Sequence, residues 1–192
     1  MKITYTTRNQ KTYYLYRGTT KKGEPRYYFS PDKSRNDQLV DAIPEGYEIY
    51  ENISCRLYLR KIKPKIILDE EIDLVKTELK KIMTHKDYDL YKVDVKKNII
   101  IIYELNENIE SIVECSKSIT TKTEDEIREI VITHATYSPL MQFVLTNEKT
   151  RSFVVHHNYH IVQSNWANIN DEAPLESHVR SFIRKRKIAL MV

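Results

Sequence analysis

Residues 12–30 read TYYLYRGTTKKGEPRYYFS, and the fold class turns on this stretch. Its two ends, 12–17 and 25–30, are dense in aromatic side chains, which suit a pleated, half-buried surface. Between them, 18–24 holds two glycines, Gly18 and Gly23, and two lysines, Lys21 and Lys22. That is turn chemistry, and it folds the second run back on the first as an antiparallel hairpin. A second pair obeys the same logic: Tyr47–Glu51 and 56–61 flank Asn52, Ile53 and Ser54, with Pro44 and Gly46 punctuating the entry. Residues 1–66 are therefore expected to form a small antiparallel sheet, a basic and aromatic-rich β region.

Beyond Pro64 the apolar period changes. Ile72, Val75, Leu79 and Ile82 recur at helical spacing behind Asp69, a suitable N-cap, and predict an amphipathic helix over 69–83. Residues 89–95 and 98–104 predict another hairpin about Lys96 and Lys97, and the unbroken run of isoleucines at 99–102 marks its second strand as central and buried on both faces. Ile109, Ile112, Val113 and Ser116 support a short helix, and Thr123 with Glu126 has the capping-box spacing ahead of Ile127, Ile130 and Val131. A third hairpin is expected from 140–146 and 151–157, extended by 161–163. Pro174 at a first-turn position, with Leu175, Val179, Phe182 and Ile183 on one face, predicts a terminal helix ending in the cations of 184–187. The tail, 188–192, is expected to return as a short strand. Residues 67–192 read as an α+β region. The whole chain reads as an α+β fold, antiparallel β-hairpins with about three to four helices. At 192 residues the two regions are free to form one continuous domain.

Composition narrows the functional classes. Three glycines in the whole chain leave almost no material for a Gly-rich phosphate cradle, whereas fourteen tyrosines are an excess. No apolar run approaches the roughly 18 residues of a membrane span, and none near Met1 has signal-peptide length. Two cysteines far apart, Cys55 and Cys115, suggest no disulfide framework. A cytoplasmic protein with no membrane partner is expected. The net charge of +4 is unevenly spread: residues 1–66 carry 14 Lys and Arg against 7 Asp and Glu, and residues 67–192 carry 17 against 20. A basic N-terminal region points to an anionic partner.

The stretches YYLYRGTTKKGEPRYYFS (13–30), IPEGYEIYEN (43–52) and LYLRK (57–61) resemble the N-terminal signature of an uncharacterised family of conserved hypothetical bacterial proteins. The likeness covers about the first 65 residues. RSFVV (151–155), Ser164 and Trp166 resemble that family's C-terminal region more loosely, without its fuller Gly-Ser-Asp-Asp-Trp pattern. The resemblance implies no activity. The first hairpin also resembles, over some 20 residues and without a specific motif, the arm-binding N-terminal domain of tyrosine recombinases.

Several constellations invite chemistry. Gly18 and Gly23 have the spacing of a phosphate loop, but Glu24 and Pro25 stand where it needs a lysine and a hydroxyl, which removes both the cation and the magnesium ligand. His134, Ala135 and Thr136 match half of the paired H-x-T signature of two-histidine phosphoesterases, and no other histidine supplies the second half. His156, His157 and His160 lie within five residues, yet on a continuous strand His156 and His160 stand about 13 Å apart, too far for one ion. No metal site and no cofactor are expected. Cys115 lacks any thiol-enzyme signature, Trp166 reads as packing before it reads as an anchor, and the cations at 184–187 suit a helix C-terminus.

The first hairpin is different because it interleaves rings and cations. Arg17, Lys21, Lys22 and Arg26 are candidate phosphate contacts, and Tyr14 and Tyr28 candidate stacking platforms, for nucleic acid. The competing reading makes the rings one face of a core and the lysines a solubilising loop. The expected function is a non-enzymatic binding or interaction module that contacts nucleic acid, with no catalytic residues. The alternatives are an enzyme acting on a phosphate-containing substrate through His134 or the 156–160 histidines, and an assembly protein that meets a protein partner through Trp166 and exposed tyrosines.

Overall fold

Strands β1 (Thr4–Thr6), β2 (Thr12–Thr19), β3 (Pro25–Ser30) and β4 (Gln38–Leu39) build the first sheet, in a computed structural model that describes residues 2–82, 90–159, 165–169 and 171–189. The expected hairpin is its centre: β2 and β3 pair antiparallel with Tyr14 opposite Ser30, Tyr16 opposite Tyr28 and Gly18 opposite Arg26. Thr20 N–H to the Glu24 carbonyl (2.8 Å) and Gly23 N–H to the Thr20 carbonyl (2.9 Å) close the turn. Gly23 takes φ +84° there, a conformation that glycine adopts without a Cβ penalty. The short β1 and β4 lie end to end along the other edge of β2, joined by Ile3 N–H to the Val40 carbonyl (2.8 Å).

Strands β5 (Tyr47–Glu51) and β6 (Leu57–Lys61) form the second expected hairpin, but as a separate two-stranded sheet rather than as part of one N-terminal sheet with the first. Such a hairpin is marginal alone in water. It is secured by Glu51, which accepts from Tyr5 (3.2 Å) and from the Arg8 backbone and guanidinium (each 3.1 Å), while Arg8 Nη2 also donates to the Asn52 and Ile53 carbonyls. These strands, with the helix Glu124–His134 apart from its first residue, make one compact unit.

The other unit comprises Lys65–Glu124 and Ala135–Val192. Its elements are α1 (Asp69–Ile82), β7 (Tyr91–Lys96), β8 (Ile99–Leu105) and α2 (Ile109–Ser116). After the helix Glu124–His134, which is α3, come β9 (Tyr137–Asn147), β10 (Ser152–Tyr159), β11 (Asn165–Asn168), β12 (Ala173–Pro174) and α4 (Leu175–Ala189). The strands run antiparallel in the order β11-β10-β9-β8-β7, with β12 beside β10. The isoleucine run lies in β8, between β7 and β9, and Ile100, Ile101 and Ile102 are all buried, as a central strand requires. Ile100, Phe143, Phe153 and Val155 join Val75 and Leu79 of α1 and Leu175, Val179 and Ile183 of α4 in one hydrophobic core. Acidic residues in the first turn of α1 and lysines in its last complement the helix dipole. The α+β class with antiparallel hairpins and four described helices is thus what the structure holds. No described helix is long and apolar enough to cross a membrane.

Three local expectations change. Asp69 is the first residue of α1 rather than its cap; Glu71 reaches back to accept the Leu68 N–H (2.9 Å), and its carboxylate also takes both arms of the Arg151 guanidinium. Pro174 is not in the terminal helix: it bridges to Ser152 in β12, an edge position where its missing N–H costs nothing, and α4 begins one residue later. Residues 188 and 189 continue α4 instead of forming a strand, while 190–192 and the proposed extension 161–163 lie outside the described residues.

Candidate nucleic-acid interface

The pleat of β2 and β3 decides what each residue of the first hairpin can do. Successive side chains point to opposite faces, so Tyr14, Tyr16 and Gly18 share one face with Arg26, Tyr28 and Ser30. Arg17 stands on the other face, with Leu15, Tyr27 and Phe29. On this second face Tyr27 packs against Tyr47 of β5, ring centres 6.4 Å apart. The first face lies under the loop 31–37. There the Tyr16 hydroxyl donates to the Asp32 carbonyl (2.9 Å), and the Tyr28 hydroxyl donates to Asp37 Oδ2.

The two candidate platforms are therefore half-enclosed. Tyr28 stacks on the fully buried Tyr16 at 5.7 Å and 19°, and the Arg26 guanidinium sits 5.8 Å from its ring centre. The bond to Asp37 is the main reason the Tyr28 phenol titrates above its ordinary value; desolvation and the Asp37 charge add to it. Tyr14 lies beneath the Lys33 ammonium, 5.9 Å from its ring centre. Neither ring stands free on an open surface. Arg26 shares their face, Arg17 does not, and Lys21 and Lys22 occupy the turn between the strands.

The four cations are all exposed. Among the described residues, Arg17, Lys21 and Lys22 have no carboxylate within 4.0 Å and no ring beneath them. Two clefts open beside them. One, of about 420 Å³, is lined by Gly18, Arg26, Tyr28, Ser30, Arg35 and Asp37. The other, of about 260 Å³, is lined by Arg17, Gly18, Thr19, Gly23, Pro25 and Gln38. Gly18 borders both, and a Cβ there would lie 2.7 Å from Asp37 Oδ2. The glycine thus serves close approach by a carboxylate rather than a phosphate loop. Arg35 is a cleft cation that the sequence reading passed over, since it falls in the polar run 31–37 with no aromatic beside it; it pairs loosely with Asp32 at 3.9 Å. Ser34 donates to Asp32 from its backbone N–H and hydroxyl, and these two bonds hold the Asp32 carboxyl below its usual range.

The other candidates are placed as follows. His156 Nδ1 meets Gln142 Nε2 at 2.9 Å across β9 and β10, and His157 points to the opposite face of the sheet; His160 lies outside the described residues. No three His, Cys, Asp or Glu among the described residues are grouped to hold a metal ion. His134 ends α3, with Nδ1 3.0 Å from the Ile130 carbonyl of its own helix. Cys115 is exposed on α2, and burial pushes the half-buried Cys55 thiol up. Trp166 is half-buried in β11, opposite Asn158. The side chains at 184–187 lie outside the described set.

Comparison with protein-family models, with curated proteins and with solved structures finds no match to this chain.

Proposed function

We propose that this chain is a non-enzymatic binding module whose first hairpin contacts nucleic acid through the phosphate backbone. The observation that carries the reading is the set of exposed cations at one end of that hairpin, of which Arg17, Lys21 and Lys22 have no ion-pair partner among the described residues. An unpaired surface ammonium or guanidinium keeps its full charge for an external anion. Each phosphate it neutralises releases condensed counterions, which is the main source of sequence-independent affinity. Arg26 and Arg35, lining the larger cleft, extend the same field onto the neighbouring face. The first-hairpin tyrosines take a structural part in this reading: they fix the strands and the loop 31–37 so that the cations are presented together.

The proposal places the protein in the cytosol, where Cys55 and Cys115, both free, remain reduced. It treats the likeness of 13–61 to the uncharacterised bacterial family as a shared scaffold, with no activity attached. The test is titration of a fluorescent oligonucleotide with the wild-type chain and with a Lys21→Glu, Lys22→Glu variant at low salt. Binding by the wild type that is lost on charge reversal is the expected outcome. Equal binding by the two proteins, or none by the wild type, refutes it.

A further inference from the structure

The first hairpin half-encloses its rings, whereas the second leaves Tyr58 exposed. Alternation sets Glu48 and Tyr50 of β5 on one face with Tyr58 and Arg60 of β6, and Arg56 precedes β6 in the same phase. The opposite face carries Tyr47, which packs on Tyr27, and Glu51, which is held by Tyr5 and Arg8. Hence the Tyr58 face is the outer one. Tyr58 is 45% exposed, and Arg56, Arg60 and Ile62 are exposed beside it.

The outer face is also ordered. Tyr50 and Tyr58 lie opposite each other with ring centres 6.4 Å apart and planes 31° from parallel. The Arg60 guanidinium sits 3.8 Å from the centre of the Tyr50 ring, within stacking distance, and Glu48 Oε1 accepts from its Nε at 2.8 Å. That bond fixes the guanidinium plane without enclosing it, since the Arg60 side chain remains 46% exposed. Arg56 has no ion-pair partner among the described residues. The result is a ladder of π faces, Arg60, Tyr50 and Tyr58, flanked by the unpaired Arg56. The pair Tyr16 and Tyr28, by contrast, has one ring fully buried and both hydroxyls bonded to the loop 31–37.

We infer that this face is a stacking surface for single-stranded nucleic acid, with Tyr58 taking an unpaired base and Arg56 a phosphate beside it. Bases in a duplex are already stacked on each other and offer no free face, so a ring platform favours single strands, and every base has a face to give. Charge complementarity names the occupant: the ladder lies in a β region that is basic overall, and its one carboxylate, Glu48, is occupied by Arg60. The inference rests on the proposed nucleic-acid function and narrows it to unpaired strands.

The experiment compares a single-stranded oligonucleotide and its duplex for four proteins: wild type, Tyr58→Ala, Tyr58→Phe and the Lys21→Glu, Lys22→Glu variant, with thermal melting of each as a check on folding. Wild type is expected to prefer the single strand. Tyr58→Ala should weaken single-strand binding roughly tenfold, leave duplex binding and the salt dependence unchanged, and be rescued by phenylalanine. If Tyr58→Ala stays folded and binds the single strand as wild type does while the lysine variant has lost binding, the stacking surface is wrong and the proposed function stands. If wild type binds neither nucleic acid, both fall.

Discussion

Tyr16 separates a structural role for the first-hairpin rings from a binding role. It is fully buried, stacked on Tyr28, and bonded through its hydroxyl to the Asp32 carbonyl at 2.9 Å. Tyr16→Phe removes only that bond. The Asp32 carbonyl belongs to an exposed loop residue and can take a water instead, so the loss should be near the ordinary net value of about 1 kcal/mol. For a unit of this size that is a melting shift of roughly 4–8 °C. Tyr16→Ala removes the ring as well, and truncating a buried aromatic costs about 3–5 kcal/mol, a large share of a small unit's total stability of about 5–15 kcal/mol. Thermal melting followed by near-ultraviolet circular dichroism, which reports tyrosine packing, measures both. A Tyr16→Phe protein that melts a few degrees early yet binds oligonucleotide as wild type is the expected outcome. A Tyr16→Phe protein that melts normally but loses binding refutes the structural assignment.

Two further outcomes follow from the packing. Gly18→Ala should drive the Asp37 carboxylate away from Tyr28, because the added Cβ would meet Oδ2 at 2.7 Å, and the Tyr28 phenol, now held above its ordinary value mainly by that bond, should titrate nearer the ordinary value in an NMR titration. The raised folded value means that the stabilisation is complete below the unfolded tyrosine value of about 10 and is lost as pH rises through the folded value. Alkaline destabilisation should therefore be shallower in Gly18→Ala, and an unchanged Tyr28 titration would contradict the close contact. Phe153→Ala should cost about 3–5 kcal/mol in chemical denaturation, because Phe153 of β10 is fully buried in the core that the sheet shares with α1 and α4; a loss below about 1 kcal/mol would contradict the core assignment.

The hairpins and helices were legible because each carries its own signal. The aromatic runs of β2 and β3, the isoleucines of β8 and the apolar stripes of α1 and α4 set period and burial locally. What escaped notice depends on a partner. Strands β1, β4, β11 and β12 span four residues or fewer, too short for a period, and exist because β2 and β10 offer them an edge. Nothing in 124–134 announces that this helix belongs with the N-terminal sheet. The facing of the tyrosines was the least legible feature. Leu15 and Tyr16 are adjacent yet both fully buried, so the pattern of β2 has no polar face to read. The cover on the Tyr16 face comes from 31–37, whose polar residues look like a solvent loop until the Asp32 carbonyl and Asp37 carboxylate are seen to close over the rings. The outer ladder of Tyr50, Tyr58 and Arg60 was present as plain alternation in YEIYE and LYLRK, but only the sheet shows which side is open.

Salt dependence of oligonucleotide affinity tests the phosphate-contact account most directly. The four first-hairpin contacts, from Arg17, Lys21, Lys22 and Arg26, contribute about −2.8 to the slope of log affinity against log salt for a single strand, a loss of about 50-fold between about 50 and about 200 mM. Replacing Lys21 and Lys22 with alanine should halve that contribution to about −1.4, a loss of about sevenfold over the same range. A wild-type affinity indifferent to salt, or the same slope in the two proteins, would contradict the account.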